Sequence, residues 1–202
     1  MVAKGFTQTY GLNYQETFAL VAKLNIVHVL LPLAINCDCP LYQLDVKNAF
    51  LNGDLEYEVY MEIPPKFETS SNYNKVCKLQ KSLYGLHQSP KAWFDKFMKV
   101  VKKHWYQQGQ AYHTLFTKQS SKGRIVILIV YVDDFILTGD YLEDMANLKQ
   151  VFVKEFKVKN LGNLKYFLRM KVTRTKKGIL VSQWKYVVHS IYPLLVFYIR
   201  HQ

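Results

Sequence analysis

A stretch near the start of the chain repeats its apolar residues at helical spacing. The spacing predicts an amphipathic helix from Val21 to Asn36, with a buried face made of Leu24, Val27, Leu31, Ala34 and Ile35. Pro32 lies inside this stretch. Because proline removes a backbone hydrogen bond and costs about 3 kcal/mol in a helix interior, we expect the helix to be kinked or broken there.

Two further helices are predicted from their start signals. Ser89 followed by Pro90 is typical of a serine N-cap with proline at the first helical position. Asp140 with Glu143 three residues later resembles a capping box. The expected core positions are Phe94, Phe97, Met98, Val101 and Trp105 in the first of these helices, and Leu142, Met145, Phe152 and Phe156 in the second.

Short apolar runs between the helices predict strands. Residues 41–46 (LYQLDV) form one such run and carry Asp45 near its end. Residues 127–137 (ILIVYVDDFIL) are apolar except for Asp133 and Asp134 in the middle. This pattern predicts a hairpin of two buried strands that turns at the two acids.

A second hairpin is predicted where the segments KYFLRMKVTR and GILVSQ meet, around Lys176, Lys177 and Gly178. The resulting order of strand, helix, hairpin, helix and hairpin indicates an α+β fold, with helices packed on one face of a mostly antiparallel sheet. Such a sheet can bring carboxylates at neighbouring strand ends together, and we expect Asp133 to face Asp45.

Composition sets bounds on the class of protein. The chain has 202 residues, of which 50% are hydrophobic, enough for one ordinary domain, or for one domain and a fragment of another. Its longest apolar run, IVILIVYV from Ile125, is about half of what a membrane span needs, so we expect a soluble intracellular protein. The three cysteines show no metal-binding or disulfide spacing and are expected to be buried small hydrophobes.

Positive charge is concentrated in the second half of the chain. The net charge is +12, yet residues 1–60 hold three lysines and six acids, whereas residues 147–178 hold ten Lys or Arg and one Glu. A basic region of this kind is typical of a surface that binds a polyanion. A solvated lysine face explains the same excess, and charge alone leaves both readings open.

The adjacent acids Asp133 and Asp134 have two readings as well. Aspartate is common in turns because its side chain forms local hydrogen bonds. With Asp45 at the end of a neighbouring strand, however, three carboxylates would make a cluster of hard oxygen ligands suited to Mg²⁺. A pair of such ions can hold the attacking and leaving oxygens of a phosphoryl transfer.

Six segments resemble, in the same order, the reverse transcriptase of copia-type (Pseudoviridae-like) retrotransposons, and the likeness extends from Val2 to Tyr186. The YVDD motif alone is a weak match, but the six together are very specific. They are VAKGFTQTYGLNYQETFA, LYQLDVKNAFLNGDLEYEVYMEIP, VCKLQKSLYGLHQSPKAWF, HTLF, LIVYVDDFILTGD and FKVKNLGNLKYFL.

The resemblance implies the palm of an RNA-directed DNA polymerase. Asp45 and Asp133 match the two carboxylates that bind both metal ions, Asp134 matches the third acid, and the carbonyl of Val46 matches a ligand of the nucleotide-side metal. Two Mg²⁺ ions, or Mn²⁺, are the implied cofactors. The implied partners are an RNA or DNA template-primer and deoxynucleoside triphosphates, with no membrane.

Three further residues match positions of the family. Phe50 matches an aromatic residue beneath the incoming sugar, where a ring excludes a 2′-hydroxyl; it also reads as a core aromatic, and both can hold. Gly85 matches a position in a loop that lies against the templating base pair; a turn without that role is the alternative interpretation. Lys159 matches a lysine suited to donate a proton to pyrophosphate, although a lysine in a basic stretch can be only solvated.

Departures from the family predict an incomplete polymerase. Residues 1–188 are expected to form a palm with partial fingers, residues 189–202 a divergent tail, and the thumb is expected to be essentially absent. Activity is expected to be weak or absent. A non-catalytic nucleic-acid-binding relic and a product that does not fold stably are the alternatives. The parent family implies a location in cytoplasmic virus-like particles or the nucleus, and the oligomeric state stays open.

Overall fold

A computed structural model describes residues 8–11, 14, 24–72, 74–168, 170–175, 178–182 and 196–200. These residues form a mixed α+β structure in which every pairing between named strands is antiparallel. The helices are α1 (Leu24–Asn36), α2 (Ser89–Lys103) and α3 (Leu142–Phe156). The strands are β1 (Leu41–Val46), β2 (Tyr60–Glu62), β3 (Val76–Lys78), β4 (Gln107–Gln108), β5 (Leu115–Gln119), β6 (Ile125–Tyr131), β7 (Asp134–Gly139), β8 (Val158–Asn163), β9 (Tyr166–Phe167), β10 (Met170–Thr175), β11 (Gly178–Ser182) and β12 (Val196–Arg200).

The chain divides into two compact units. The first contains residues 1–20 and 48–103, and the second contains residues 21–47 and 104–202. The first unit holds α2, the β2–β3 pair and two short 3-10 turns, Ala49–Asn52 and Pro65–Phe67. No helix of the described residues is long and apolar enough to cross a membrane.

Helix α2 confirms the predicted helix but corrects its details. Its buried residues are Ser89, Trp93, Phe94, Phe97 and Val101. The Ser89 hydroxyl donates to the carbonyl of Leu83 (2.6 Å), so it ties the helix to the preceding loop instead of acting as the expected N-cap. The prediction that Trp105 lies on the apolar face was wrong, because the helix ends at Lys103 and the Trp105 side chain is 81% exposed.

The second unit is built on a six-stranded sheet with the order β4-β5-β6-β7-β1-β8. Alternation along the strands gives the sheet two apolar faces. On one face Ile129 and Ile136 join the α1 residues and β9–β11 in a single buried cluster. On the other face Phe135 packs against Phe152 of α3, with ring centroids 5.2 Å apart. Helices therefore cover both faces, and the expectation of helices on one face was wrong.

Helix α1 is continuous through Pro32, so the expected break was wrong. Four of the five residues of its predicted face are confirmed, since Val27, Leu31, Ala34 and Ile35 are all at most 1% exposed, and the Leu24 side chain is outside those described. Burial of this face against the sheet offsets the single hydrogen bond that proline removes. Residues 21–23, which the prediction included, lie outside the described residues.

Both predicted hairpins are confirmed, as β6–β7 and β10–β11. Lys176 and Lys177, at the turn of the second, lie outside the described residues. Strand β11 also pairs with β12, whose residues fall within the predicted tail. Of the cysteines, Cys39 is buried, Cys77 is half-buried and Cys37 is exposed, so the expectation of three buried thiols was wrong for Cys37.

Helix α3 starts differently from its prediction. Its N-cap is Tyr141, without a side-chain cap, and the Asp140 carboxylate instead accepts a hydrogen bond from the backbone N–H of Ile125 (2.6 Å). The expected capping box was therefore wrong, as was Leu142 as a core position, because its side chain is 57% exposed. Asp144 is buried and accepts a hydrogen bond from the Tyr106 hydroxyl (2.7 Å).

Gly139 at the end of β7 provides a test of the close approach between β7 and β6. Its φ is +141°, and a Cβ built there would lie 2.1 Å from the carbonyl oxygen of Ile125. Gly139→Ala is therefore expected to lower the free energy of unfolding by about 3 kcal/mol. Gly123 has a φ of +80° with no atom within 4 Å of a built Cβ, so Gly123→Ala is expected to cost only about 1 kcal/mol. Urea denaturation measures both values, and equal losses would contradict the crowding at Gly139.

Candidate active site

Strand β1 carries Asp45 at its penultimate position. The strand lies in the interior of the six-stranded sheet, between β7 and β8, and Leu41, Leu44 and Val46 are buried. In the register Asp45 is paired with Asp134 on one side and Lys159 on the other, so its backbone lies between two neighbouring strands. The carboxylate is thus attached to an interior strand whose neighbouring side chains are buried.

The turn between β6 and β7 contains Val132 and Asp133. Val132 has a φ of +49°, an uncommon conformation for a β-branched residue that costs on the order of 1–3 kcal/mol. The carbonyl of Asp133 accepts a hydrogen bond from the N–H of Val46 (2.7 Å). This bond attaches the turn to the end of β1 and brings the backbone of Asp133 beside Val46.

The register identifies which acid lies opposite Asp45. Residue Asp134 is its direct partner, and directly paired residues in antiparallel strands project from the same face of the sheet. Asp133 instead belongs to the turn. The residue directly opposite Asp45 in the register is therefore Asp134, whereas the expected Asp133 lies one residue earlier, in the turn.

Four residues form a row across four neighbouring strands. Tyr131 pairs with Asp134, Asp134 with Asp45, and Asp45 with Lys159. All four lie on the face that also carries Ile129 and Ile136. The row places two carboxylates side by side between an aromatic residue and a cation. Three of its strands, β6, β7 and β1, are mostly buried, whereas β8 is mostly exposed.

The environment of Asp134 disfavours its negative charge. Burial is the main cause that raises the pKa of its carboxyl group above the usual range, and the charge of Asp45 raises the pKa further. A hydrogen bond from the side-chain amide of Gln43 (3.2 Å) opposes this rise. A cation bound beside the two carboxylates would favour the charged form.

The donor set fits a divalent cation only in part. Carboxylate oxygens are the ligands that Mg²⁺ prefers, and Asp45 and Asp134 supply them from facing strands. Among the described residues, no three His, Cys, Asp or Glu side chains form a group able to hold a metal ion. Because Mg²⁺ is commonly bound through one or two carboxylates together with substrate phosphates, the pair is consistent with a site that substrate completes.

Phe50 and Gly85 lie in the first unit, whereas the carboxylates lie in the second. Phe50 belongs to the 3-10 turn Ala49–Asn52, and its ring contacts that of Tyr84 (centroids 4.5 Å apart). Gly85 is exposed and has a φ of +96°, which confirms a turn that favours glycine. Tyr84 thus contacts Phe50 in space and directly precedes Gly85 in the chain.

Sequence reasoning missed Gln43. Its side chain is 9% exposed, and its amide donates a hydrogen bond to the Asp134 carboxylate. The available signal was a polar residue in the middle of an otherwise apolar strand, LYQLDV. Buried polar side chains are normally hydrogen-bonded, so a glutamine there indicates a polar partner on the same face.

Comparisons with known proteins agree with the segments recognised in the sequence. Residues 1–193 match the family described as "Reverse transcriptase (RNA-dependent DNA polymerase)". The retrovirus-related Pol polyprotein from transposon TNT 1-94 of Nicotiana tabacum is 40% identical over 189 residues, which cover 93% of this chain and 14% of that polyprotein. The polyprotein from transposon RE1 of Arabidopsis thaliana is 38% identical over 93% of this chain and 13% of its own length.

A yeast relative is similar over a shorter region. The putative transposon Ty5-1 protein of Saccharomyces cerevisiae is 30% identical over 148 residues, which cover 73% of this chain and 48% of that protein. The chain thus spans about one seventh of the plant polyproteins and about half of this yeast protein. No solved structure matches the chain at a significant level.

The match to the family covers nearly the whole chain, and the plant relatives share it over 93% of the chain. The chain belongs to the reverse transcriptase (RNA-dependent DNA polymerase) family, and it is similar to the copia-type segment of retrotransposon Pol polyproteins.

Proposed function

We propose that this chain is the RNA-directed DNA polymerase domain of a copia-type retrotransposon, in which the second unit forms the palm and the first unit part of the fingers. It would extend a primer 3′-hydroxyl with deoxynucleoside triphosphates on an RNA or DNA template, in cytoplasmic particles or the nucleus. The observation that carries the proposal is the cross-strand pair of Asp45 and Asp134 beside the turn at Asp133.

Asp45, Asp133 and Asp134, with the carbonyl of Val46, are the proposed metal ligands. Two bound Mg²⁺ ions would supply acidification of the primer hydroxyl and neutralisation of the triphosphate charge. The chain's own contribution is to hold the acids on rigid backbone: β1 fixes Asp45, β7 fixes Asp134, and the bond from Val46 to the Asp133 carbonyl fixes the turn. Substrate phosphates would complete the coordination.

Lys159 is the proposed proton donor to the leaving pyrophosphate. Its direct pairing with Asp45 in the register supports this role, because neighbours of that kind lie about 5 Å apart at Cβ on one face. A flexible ammonium group there could follow charge that develops on a phosphate oxygen.

Phe50 is the proposed contact to the sugar of the incoming nucleotide, and Gly85 the proposed contact to the templating base pair. The Phe50 ring is supported by Tyr84, and the backbone carbonyl of Phe50 accepts hydrogen bonds from Gly53 N–H (3.0 Å) and from the Ser82 hydroxyl. A ring held in this way would exclude a 2′-hydroxyl by its bulk.

A second candidate function is nucleic-acid binding without catalysis. It is favoured by the net charge of residues 147–178, where ten cationic residues accompany one acid. Binding through phosphate contacts weakens steeply as salt rises. Salt-sensitive binding of a primer-template, with no Mg²⁺-dependent extension by the same preparation, would favour this function over the polymerase.

Asp133→Asn tests the polymerase directly. The change keeps the size of the side chain but removes a charge proposed to hold metal, so we expect primer extension to fall by roughly 1,000-fold, equivalent to about 4 kcal/mol of transition-state stabilisation. Extension of a labelled DNA primer on an RNA template, with and without Mg²⁺, measures the loss.

Asp140→Asn is the matched control for this substitution. Asp140 lies at the other end of β7, is exposed, and accepts a backbone hydrogen bond that an asparagine oxygen also accepts. Its activity should remain within about twofold of the unaltered chain. Equal activity of the Asp133→Asn and Asp140→Asn proteins would exclude the proposed mechanism.

Asp134→Asn tests the electrostatic cost of the site. Because the folded-state pKa of Asp134 is raised, ionisation destabilises the fold, and this penalty is present above the folded-state pKa and vanishes below the unfolded value of about 4. The asparagine variant should therefore melt about 2 °C higher at pH 7.5 in metal-free buffer, and the difference should shrink as the pH falls towards 4. Thermal unfolding monitored by circular dichroism measures it; a lower melting temperature at pH 7.5 would contradict the assignment.

A further inference from the structure

Gln43 is an unusual residue for its place in the fold. It lies in the middle of β1, a strand with neighbours on both sides, and its side chain is 9% exposed. An apolar side chain would satisfy this position without further requirements. A buried amide costs free energy unless it finds a partner, so its partner indicates why the residue is there.

The partner is the carboxylate of Asp134. The Gln43 Nε2 atom donates to Asp134 Oδ1 at 3.2 Å, between residues 91 positions apart in the chain. In the register Gln43 pairs with Ile136 and Asp45 pairs with Asp134, so Gln43 reaches Asp134 along the diagonal of the pair. Gln43, Asp45 and Asp134 share one face of the sheet.

The hydrogen bond constrains the orientation of the Asp134 side chain. A carboxylate can rotate about its terminal bond, and a donor held by a buried strand restricts that rotation by fixing one oxygen. An ionised carboxylate has about four lone-pair sites. The hydrogen bond from Gln43 uses one site on Oδ1, and Oδ2 takes no part in it. Outer partners that orient a ligand in this way commonly change metal affinity or activity by 10- to 100-fold when they are removed.

We propose that Gln43 is a positioning residue, which holds the Asp134 carboxylate in the orientation needed to bind a divalent cation beside Asp45. This inference rests on the proposed function, since it requires Asp134 to be part of the cation site. It adds a residue outside the three acids whose role is exerted through one of them.

Thr138 shows that burial of a polar group on this face does not by itself imply such a role. It lies four residues after Asp134 on β7 and is 2% exposed, and its hydroxyl has no hydrogen-bond partner among the residues that the structure describes. Thr138→Val is isosteric and removes a polar group from the same face of the same sheet. It therefore serves as the matched control for a substitution at Gln43.

The experiment measures Mn²⁺ binding to the full 202-residue chain by electron paramagnetic resonance titration, which does not depend on catalysis. Gln43→Leu and Gln43→Met remove the N–H donor at similar side-chain size, and circular dichroism melting identifies the variants that remain folded. We expect each folded Gln43 variant to bind Mn²⁺ about 10-fold more weakly, while Thr138→Val binds it like the unaltered chain.

A double-mutant cycle with Asp134→Asn separates positioning from general disturbance. If Gln43 acts through Asp134, then Gln43→Leu should weaken Mn²⁺ binding in the unaltered chain but add no further loss in the Asp134→Asn background. An equal additional loss in both backgrounds would overturn the inference.

Two outcomes distinguish the inference from the function on which it rests. Weaker binding by Asp134→Asn with unchanged binding by both Gln43 variants would overturn the role of Gln43 and leave the proposed cation site intact. Unchanged binding by Asp134→Asn would overturn Asp134 as a proposed ligand, and the role of Gln43 with it.

Discussion

The antiparallel pairing of β1 with β7 is the contact on which the rest of the site depends. It sets Asp45 directly opposite Asp134, so two like charges lie on one face at the ends of buried strands. Their mutual repulsion and partial burial are unfavourable for folding, and the raised pKa of Asp134 expresses this cost. A fold that keeps such a pair must hold the two strands together by other means.

The hydrophobic layers on both faces of the sheet supply that restraint. Phe135 and Ile136 are adjacent in β7 and fully buried, the first with α3 and the second with the cluster that includes α1. Strand β7 is thus held by packing on both faces within three residues of Asp134. The two-residue turn between β6 and β7 holds Val132 at a positive φ, as such hairpin turns require at their first position, and this conformation is costly for a β-branched residue.

Much of this arrangement could be predicted from the sequence, because strands and amphipathic helices have local signals. The apolar runs predicted β1 and the β6–β7 hairpin, and the acids within those runs identified the carboxylates of the candidate site. The register between strands could not be predicted in the same way. A shift of one residue decides whether Asp133 or Asp134 lies opposite Asp45. The prediction for Trp105 was wrong for a related reason, since periodicity does not show where a helix ends.

Gln43 illustrates what local patterns leave out. The sequence LYQLDV identifies a strand whether or not its glutamine has a partner, because the partner lies 91 residues away. Only the pairing of strands reveals that the amide and the Asp134 carboxylate meet. The site is therefore shared between two levels: the acids are encoded by short motifs, whereas their orientation depends on side chains such as Gln43 that only the tertiary structure brings to them. A chain that kept all three acids but lost the side chains that orient them would retain the sequence motif without the orientation of its carboxylates.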